Sequence, residues 1–139
     1  PELCITLTWL PGKLAANWQS YSRNCVVDYV EHTQNNEAIR PIIDQLIDTK
    51  EEIVVWGAGN YTSRLLANSR LDKCNIAFFV DRDKHKQGTS IMGKPVHAPD
   101  AIIRMAKTCT ILVGAAVFHD DIISEIKAMS LSNKVIVLE

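Results

Sequence analysis

The chain has little that would commit it to a membrane, a polyanion or a covalent framework. No apolar run approaches the roughly 20 residues needed to span a bilayer, and the N-terminus lacks the basic segment, apolar core and small-residue cleavage site of a secretory signal. Charge of one sign is missing too. Fifteen Lys and Arg against 16 Asp and Glu leave a net charge of -1, which argues against nucleic acid or an acidic membrane surface as a partner. Cys4, Cys25, Cys74 and Cys109 form no Cys-x-x-Cys pair and have no histidine at metal-ligand spacing, so no metal site is expected, and reduced, mostly buried thiols in a cytoplasmic protein are. His32, His85, His97 and His119 include no i, i+4 pair and no neighbouring Ser or Cys nucleophile, and no catalytic residue is assigned. There are no internal repeats and no low-complexity linker. An initiator methionine is also absent: the chain begins at Pro1, and we expect a fragment of a longer polypeptide.

What is present is enough for one domain with an appendage, since 47% of the 139 residues are hydrophobic. Glu2 to Leu10 alternates in part and reads as a short strand or linker (1–12) ahead of the turn signal Pro11-Gly12. From Lys13, Leu14, Trp18, Tyr21, Cys25 and Tyr29 recur three or four residues apart, the spacing of one helix face. A break is expected between Asn35 and Pro41. A second helix follows, with Ile39, Ile42, Ile43, Leu46 and Ile47 on its apolar face, so that 13–50 reads as a helical arm.

Beyond Glu51 the segments alternate. Strands are expected at Ile53 to Trp56, Asn75 to Val80, Lys94 to His97, Thr110 to Gly114 and Val135 to Leu138. Helices are expected at Tyr61 to Asn68, Pro99 to Ala106 and Asp120 to Met129. Short apolar strands separated by helices imply an α/β, Rossmann-like three-layer fold over 51–139, with a parallel sheet ordered 3-2-1-4-5 and right-handed crossovers. Asp83 to Ser90 reads as a polar loop.

The residues that could carry a ligand cluster around the first crossover. Gly57-Ala58-Gly59-Asn60-Tyr61-Thr62 supplies the first two glycines of a dinucleotide fingerprint and replaces the third by Thr62. Gly57 permits the turn, Gly59 keeps a side chain out of the path of a phosphate, and Thr62 could offer its hydroxyl to an anion. Asp81 lies 22 residues beyond Gly59, close to the interval at which an acid meets a ribose hydroxyl. Lys84, His85 and Lys86 add positive charge able to meet a phosphate, though such a polar run also describes a solvated loop. Arg82 and Lys86 are candidates to hold substrate, as is His119, which falls at the carboxyl edge of the sheet, where open α/β folds bind ligands. The same pattern also describes a ligand-free glycine-rich crossover, with Asp81 holding the following loop.

Val55-Trp56-Gly57-Ala58-Gly59, Phe79-Val80-Asp81-Arg82-Asp83, Lys86-Gln87-Gly88, Met92-Gly93-Lys94-Pro95-Val96 and Ala98-Pro99-Asp100-Ala101-Ile102 together resemble the C-terminal Rossmann-like domain of the sugar C-methyltransferase family. Similar domains accompany other class I S-adenosylmethionine-dependent methyltransferases and enzymes of nucleotide-sugar and polysaccharide biosynthesis. The resemblance covers about Glu52 to Glu139. It implies an accessory domain that packs against an upstream methyltransferase domain, where S-adenosylmethionine binds, and helps to frame a nucleotide-sugar site without catalysing alone. The chain departs from that family in having Val55-Trp56 where a donor loop carries an acid, Gly57-Ala58-Gly59 where a Gly-Ala-Pro turn is usual, and no zinc-binding cysteines.

Two other readings stand beside it. One is a free-standing module holding NAD(P), coenzyme A or another nucleotide through Gly57 to Thr62 and Asp81. The other is a structural domain that forms a homodimer through the aromatic face of the arm. An oxidoreductase is disfavoured, because neither a Tyr-x-x-x-Lys pair nor a substrate-binding extension follows the fingerprint.

Overall fold

The computed structural model describes residues 38–106, 108–115 and 117–138. The expected N-terminal strand, the arm up to residue 37 with its dimerising face, and residues 35–37 of the break expected between Asn35 and Pro41 lie outside the described residues; over 38–41 the chain is unbroken helix. Helix α1 covers 38–49 and runs through Pro41. Strand β1 (Glu52–Trp56) leads into helix α2 (Asn60–Asn68), a 3-10 turn (Arg70–Lys73) and β2 (Asn75–Val80). Then come β3 (Ser90–Ile91), β4 (Lys94–His97), α3 (Ala101–Met105), β5 (Thr110–Val113), α4 (His119–Ala128) and β6 (Val135–Val137).

The sheet order is β3-β4-β2-β1-β5-β6. Its five parallel strands stand in the expected 3-2-1-4-5 arrangement, and the fold is α/β and Rossmann-like. The addition is β3, which pairs antiparallel with β4 through Ser90–Pro95 and Ile91–Lys94 and makes the end of the expected polar loop one arm of a hairpin. Two residues with one half-buried side chain leave no alternating pattern to read.

Alternation along β1 sorts the core into two layers. Ile53 and Val55 face Ile39, Ile43 and Leu46 of α1 and Leu65 of α2. Val54 and Trp56 face Ala101 and Ile102 of α3 and Ile122 and Ile126 of α4. All four β1 side chains are at most 1% exposed, and complete burial of each is worth about 1.5–3 kcal/mol. Helix α1 thus shares the core of the sheet that follows it.

One irregularity decides the site. The β1–β2 register runs Ile53 to Ile76 and then Val54 to Phe78, so Ala77 is an extra residue on β2. Because side chains alternate with period two, an inserted residue moves everything beyond it to the opposite face. Ile76 and Phe79 accordingly lie in the α1/α2 layer and Phe78 and Val80 in the α3/α4 layer. The next residue, Asp81, is delivered to the α2 side.

Candidate functional site

The site sits at the carboxyl edge of the sheet, where β1 is flanked by β2 and β5. Backbone bonds tie the strand ends together there: Gly57 N–H donates to the Val80 carbonyl at 2.8 Å, Gly114 N–H to Trp56 at 2.9 Å, and Asp81 N–H to His97 at 3.1 Å. Gly57 has φ +112°, and a Cβ there would stand 2.7 Å from the Gly114 carbonyl oxygen. Both the dihedral and the space exclude a side chain.

Gly59 is the residue before α2. Its backbone is extended, it offers no side-chain cap, and the first turn of α2 carries no acid. The first intrahelical bond is donated by Ser63 to Gly59 at 3.0 Å, so the positive end of the helix opens at this glycine. An added Cβ at Gly59 would have one neighbour within 4 Å, the Lys86 Nζ at 3.8 Å. Among the described residues, that ammonium group alone stands on this face within 4 Å.

Thr62 does not serve as the sequence suggested. It is fully buried, and its hydroxyl oxygen lies 2.5 Å from the Gly57 carbonyl and 3.0 Å from that of Gly114. With its single proton shared between those acceptors, the hydroxyl is turned into the protein and not toward an anion. Threonine fits where the fingerprint has its third glycine because Gly114 supplies the clearance: a Cβ on Gly114 would meet Thr62 Oγ1 at 2.6 Å. Gly114 is the site residue that motif reading missed, and a glycine directly after an apolar strand was its signal.

Asp81 reaches the turn. Its Oδ2 accepts from the Ala58 amide at 2.8 Å and from Lys86 Nζ at 3.1 Å, and its Oδ1 accepts from the Asp83 amide at 2.9 Å. Burial acts to raise its pKa, but the Asp83 and Ala58 amides and the Lys86 ammonium outweigh that effect and hold the carboxyl below its ordinary value. The loop beyond is built and not merely solvated. Gln87 Nε2 donates to the Asp81 carbonyl at 2.9 Å, the His85 amide to Asp83 Oδ1 at 2.9 Å, and the Lys86 amide to the Asp83 carbonyl at 3.0 Å. These side-chain bonds to nearby backbone are why Asp and Gln suit this turn.

The structure therefore gathers Gly57, Ala58, Gly59, Thr62, Asp81 and Lys86. Asn60 is exposed on the first turn of α2, and Tyr61 packs against the α1/α2 layer. Arg82, one residue past Asp81, turns toward α4, with Nε 3.5 Å from Glu125 Oε2. His119 opens α4, its Nε2 3.5 Å from Asp120 Oδ1. That helix packs on the opposite layer from α2 and carries Asp120 and Asp121 in its first turn, so its N-terminus is a poorer place for a phosphate than that of α2. Among the described residues no helix is long and apolar enough to cross a membrane.

Comparison with known proteins bears on the fold and the family. The chain is similar in structure to UDP-D-quinovosamine 4-dehydrogenase from Vibrio fischeri, with a TM-score of 0.51 and 22% sequence identity over 63% of this chain and 76% of that one. At that identity the likeness shows the fold alone. No curated protein matches the sequence significantly. Residues 49–137 match a family described as C2185-like, N-terminal. Neither finding names a methyltransferase, and the matched family describes an N-terminal domain where the resemblance drawn from the sequence implied a C-terminal one. On the extent of that match, the chain belongs to the C2185-like, N-terminal family.

Proposed function

We propose that the domain is a nucleotide-binding module whose ligand lies over the β1–α2 crossover, its phosphate against Gly59. The observation that carries this reading is the clearance at Gly59: among the described residues the backbone is bare at the positive end of a helix, and the one atom beyond its chain neighbours within 4 Å of an added Cβ is a lysine ammonium. Phosphate recognition is favoured by each of those three things, namely backbone that can be approached closely, a helix N-terminus and a cation. The fold likeness to a nucleotide-sugar dehydrogenase supports a nucleotide over other anions. A nucleoside diphosphate, a nucleotide-sugar and NAD(P) all present the required group. The role is one of binding, and no reaction step falls to any residue of the site.

Calorimetry with UDP, ADP, NAD and NADP against the wild type and Gly59→Val tests it. The φ of -108° at Gly59 suits a side chain, and the only near atom among the described residues is the end of a flexible lysine, so the variant should fold. Wild type is expected to bind at least one of these ligands and G59V to bind it about tenfold or more weakly, with a melting temperature within a few degrees of wild type. Equal affinity in the two proteins would sink the reading.

A further inference from the structure

In a dinucleotide fingerprint the acid at the end of the second strand is the ribose ligand. Here that carboxylate is already engaged inside the protein. Asp81 Oδ2 holds both the Ala58 amide and Lys86 Nζ, and Oδ1 holds the Asp83 amide. A carboxylate offers about four acceptor positions, and three of these are taken. The side chain is only 14% exposed, whereas Lys86 is 39% exposed. Of the pair, the cation faces outward.

The ammonium is also placed with respect to the ligand side. It stands 3.8 Å from where a Gly59 Cβ would be, on the bare face of the turn. Its backbone is fixed from both directions: the Lys86 amide donates to Asp83, the Thr89 hydroxyl donates to the Lys86 carbonyl at 2.5 Å, and the Thr89 amide donates to the same carbonyl at 3.1 Å. Gly88 and Thr89 are tied in turn to Val96 of β4. A lysine on a mobile loop would lose most of its side-chain freedom on meeting a phosphate. This one is ordered beforehand by its ion pair, which is what pre-organisation means in binding.

Building on the nucleotide-binding reading, we propose that Lys86 is the residue that contacts the ligand's phosphate and that Asp81 is a positioning residue, holding Lys86 and the Ala58 amide in place without itself binding ribose. The ligand class follows. The site reads the phosphate group of a nucleoside diphosphate and places little demand on the ribose hydroxyls, so pyrophosphate binds by the same contact and unphosphorylated nucleosides do not.

The test is a double-mutant cycle of K86M and D81N, read by calorimetry with UDP, ADP, pyrophosphate, uridine and adenosine, with melting temperatures recorded for each protein. K86M is expected to weaken UDP, ADP and pyrophosphate alike by about tenfold or more, the scale of one charge-assisted bond, and K86R to restore part of it. D81N is expected to weaken the same ligands when Lys86 is present and to have no further effect in the K86M background. Uridine and adenosine should show no binding to any of the four. If D81N weakens UDP and ADP equally in both backgrounds and leaves pyrophosphate untouched, Asp81 is the ribose ligand and the inference is overturned while the nucleotide-binding reading stands. If K86M binds as wild type does, the inference also fails. Wild type that binds none of these phosphates, nor NAD or NADP, overturns both.

Discussion

The Thr62 hydroxyl lies 3.0 Å from the carbonyl oxygen of Gly114, a residue 52 positions further along the chain. The contact joins α2 to the end of β5 and replaces the close approach that a third fingerprint glycine would have given. Gly114→Ala should therefore cost about 1–3 kcal/mol, as overpacking of a tight interior does, since its Cβ would press on Thr62 Oγ1 at 2.6 Å. Thr62→Ala removes the atom in the way. Denaturant titration of the two single variants and the double variant should give a sum less than additive, the mark of direct contact. Strict additivity would mean that the two residues do not share this space.

Gly57→Ala should be the more damaging glycine substitution. It meets the Gly114 carbonyl at 2.7 Å, where backbone and not a movable side chain must yield, and it forces a Cβ onto φ +112°. The two effects together are expected to exceed about 2 kcal/mol. A midpoint shift no larger than that of a surface substitution would contradict the tight junction of β1 and β5 described above.

Asp81 predicts a pH dependence with a definite sign. Its folded pKa is depressed below the ordinary aspartate value of 3.8. The stabilisation it provides is thus complete above that value and is lost as pH falls through the lower folded value. Urea unfolding between pH 6 and pH 2 should show wild type losing stability over that acid interval more steeply than Asp81→Asn, which has no carboxylate to protonate. Parallel curves for the two proteins would remove Asp81 from the acid response.

Which parts of this arrangement could be read from the sequence depends on how local each cause is. Ile53 to Trp56, Phe78 to Val80 and Ile111 to Val113 were legible because strands covered on both faces are continuously apolar. The spacing of Gly57, Gly59 and Asp81 was legible because the fingerprint lies in one crossover. The extra residue at Ala77 was not, since a register slip leaves no mark in composition. Counting by twos from Ile76 places Arg82 on the α2 side and Asp81 away from it, whereas the slip exchanges them and sends Arg82 to Glu125. The inward turn of Thr62 was hidden for a different reason: its cause is a missing side chain on Gly114, far away in sequence.

The two described cysteines should be unreactive. Cys74 and Cys109 are free and buried. Burial, and then the negative charge of Asp72, push the Cys74 thiol up to about 11. Burial and the bond that the Cys109 thiol donates to Glu52 Oε2 at 3.0 Å do the same for Cys109, also to about 11. At pH 8 about one thiol in a thousand would be thiolate, the species that reacts. Iodoacetamide treatment followed by peptide mass mapping should leave both nearly unmodified in native protein and label both in urea. Rapid native labelling of either would show that its surroundings open.

Met92 is the clearest opportunity to stabilise the domain. It is 59% exposed and, with Gly93, forms the two-residue connection between Ile91 and Lys94, at φ values of +52° and +74°. Two positive φ values in a two-residue hairpin fit a type I′ turn, which favours Asn-Gly. A left-handed conformation costs an ordinary side chain about 1–2 kcal/mol and costs asparagine less, because its short polar side chain can bond locally. Met92→Asn should accordingly gain about 0.5–1 kcal/mol and raise the melting temperature by a few degrees. The gain should be confined to the hairpin, so hydrogen exchange should slow at the Val96 and Gly88 amides, which close it by donating to Thr89 and Val96. Loss of stability on this substitution would mean that the Met92 side chain, which borders a cavity of about 80 Å³ beside Cys74 and Phe79, contributes more by contact than its backbone strain costs.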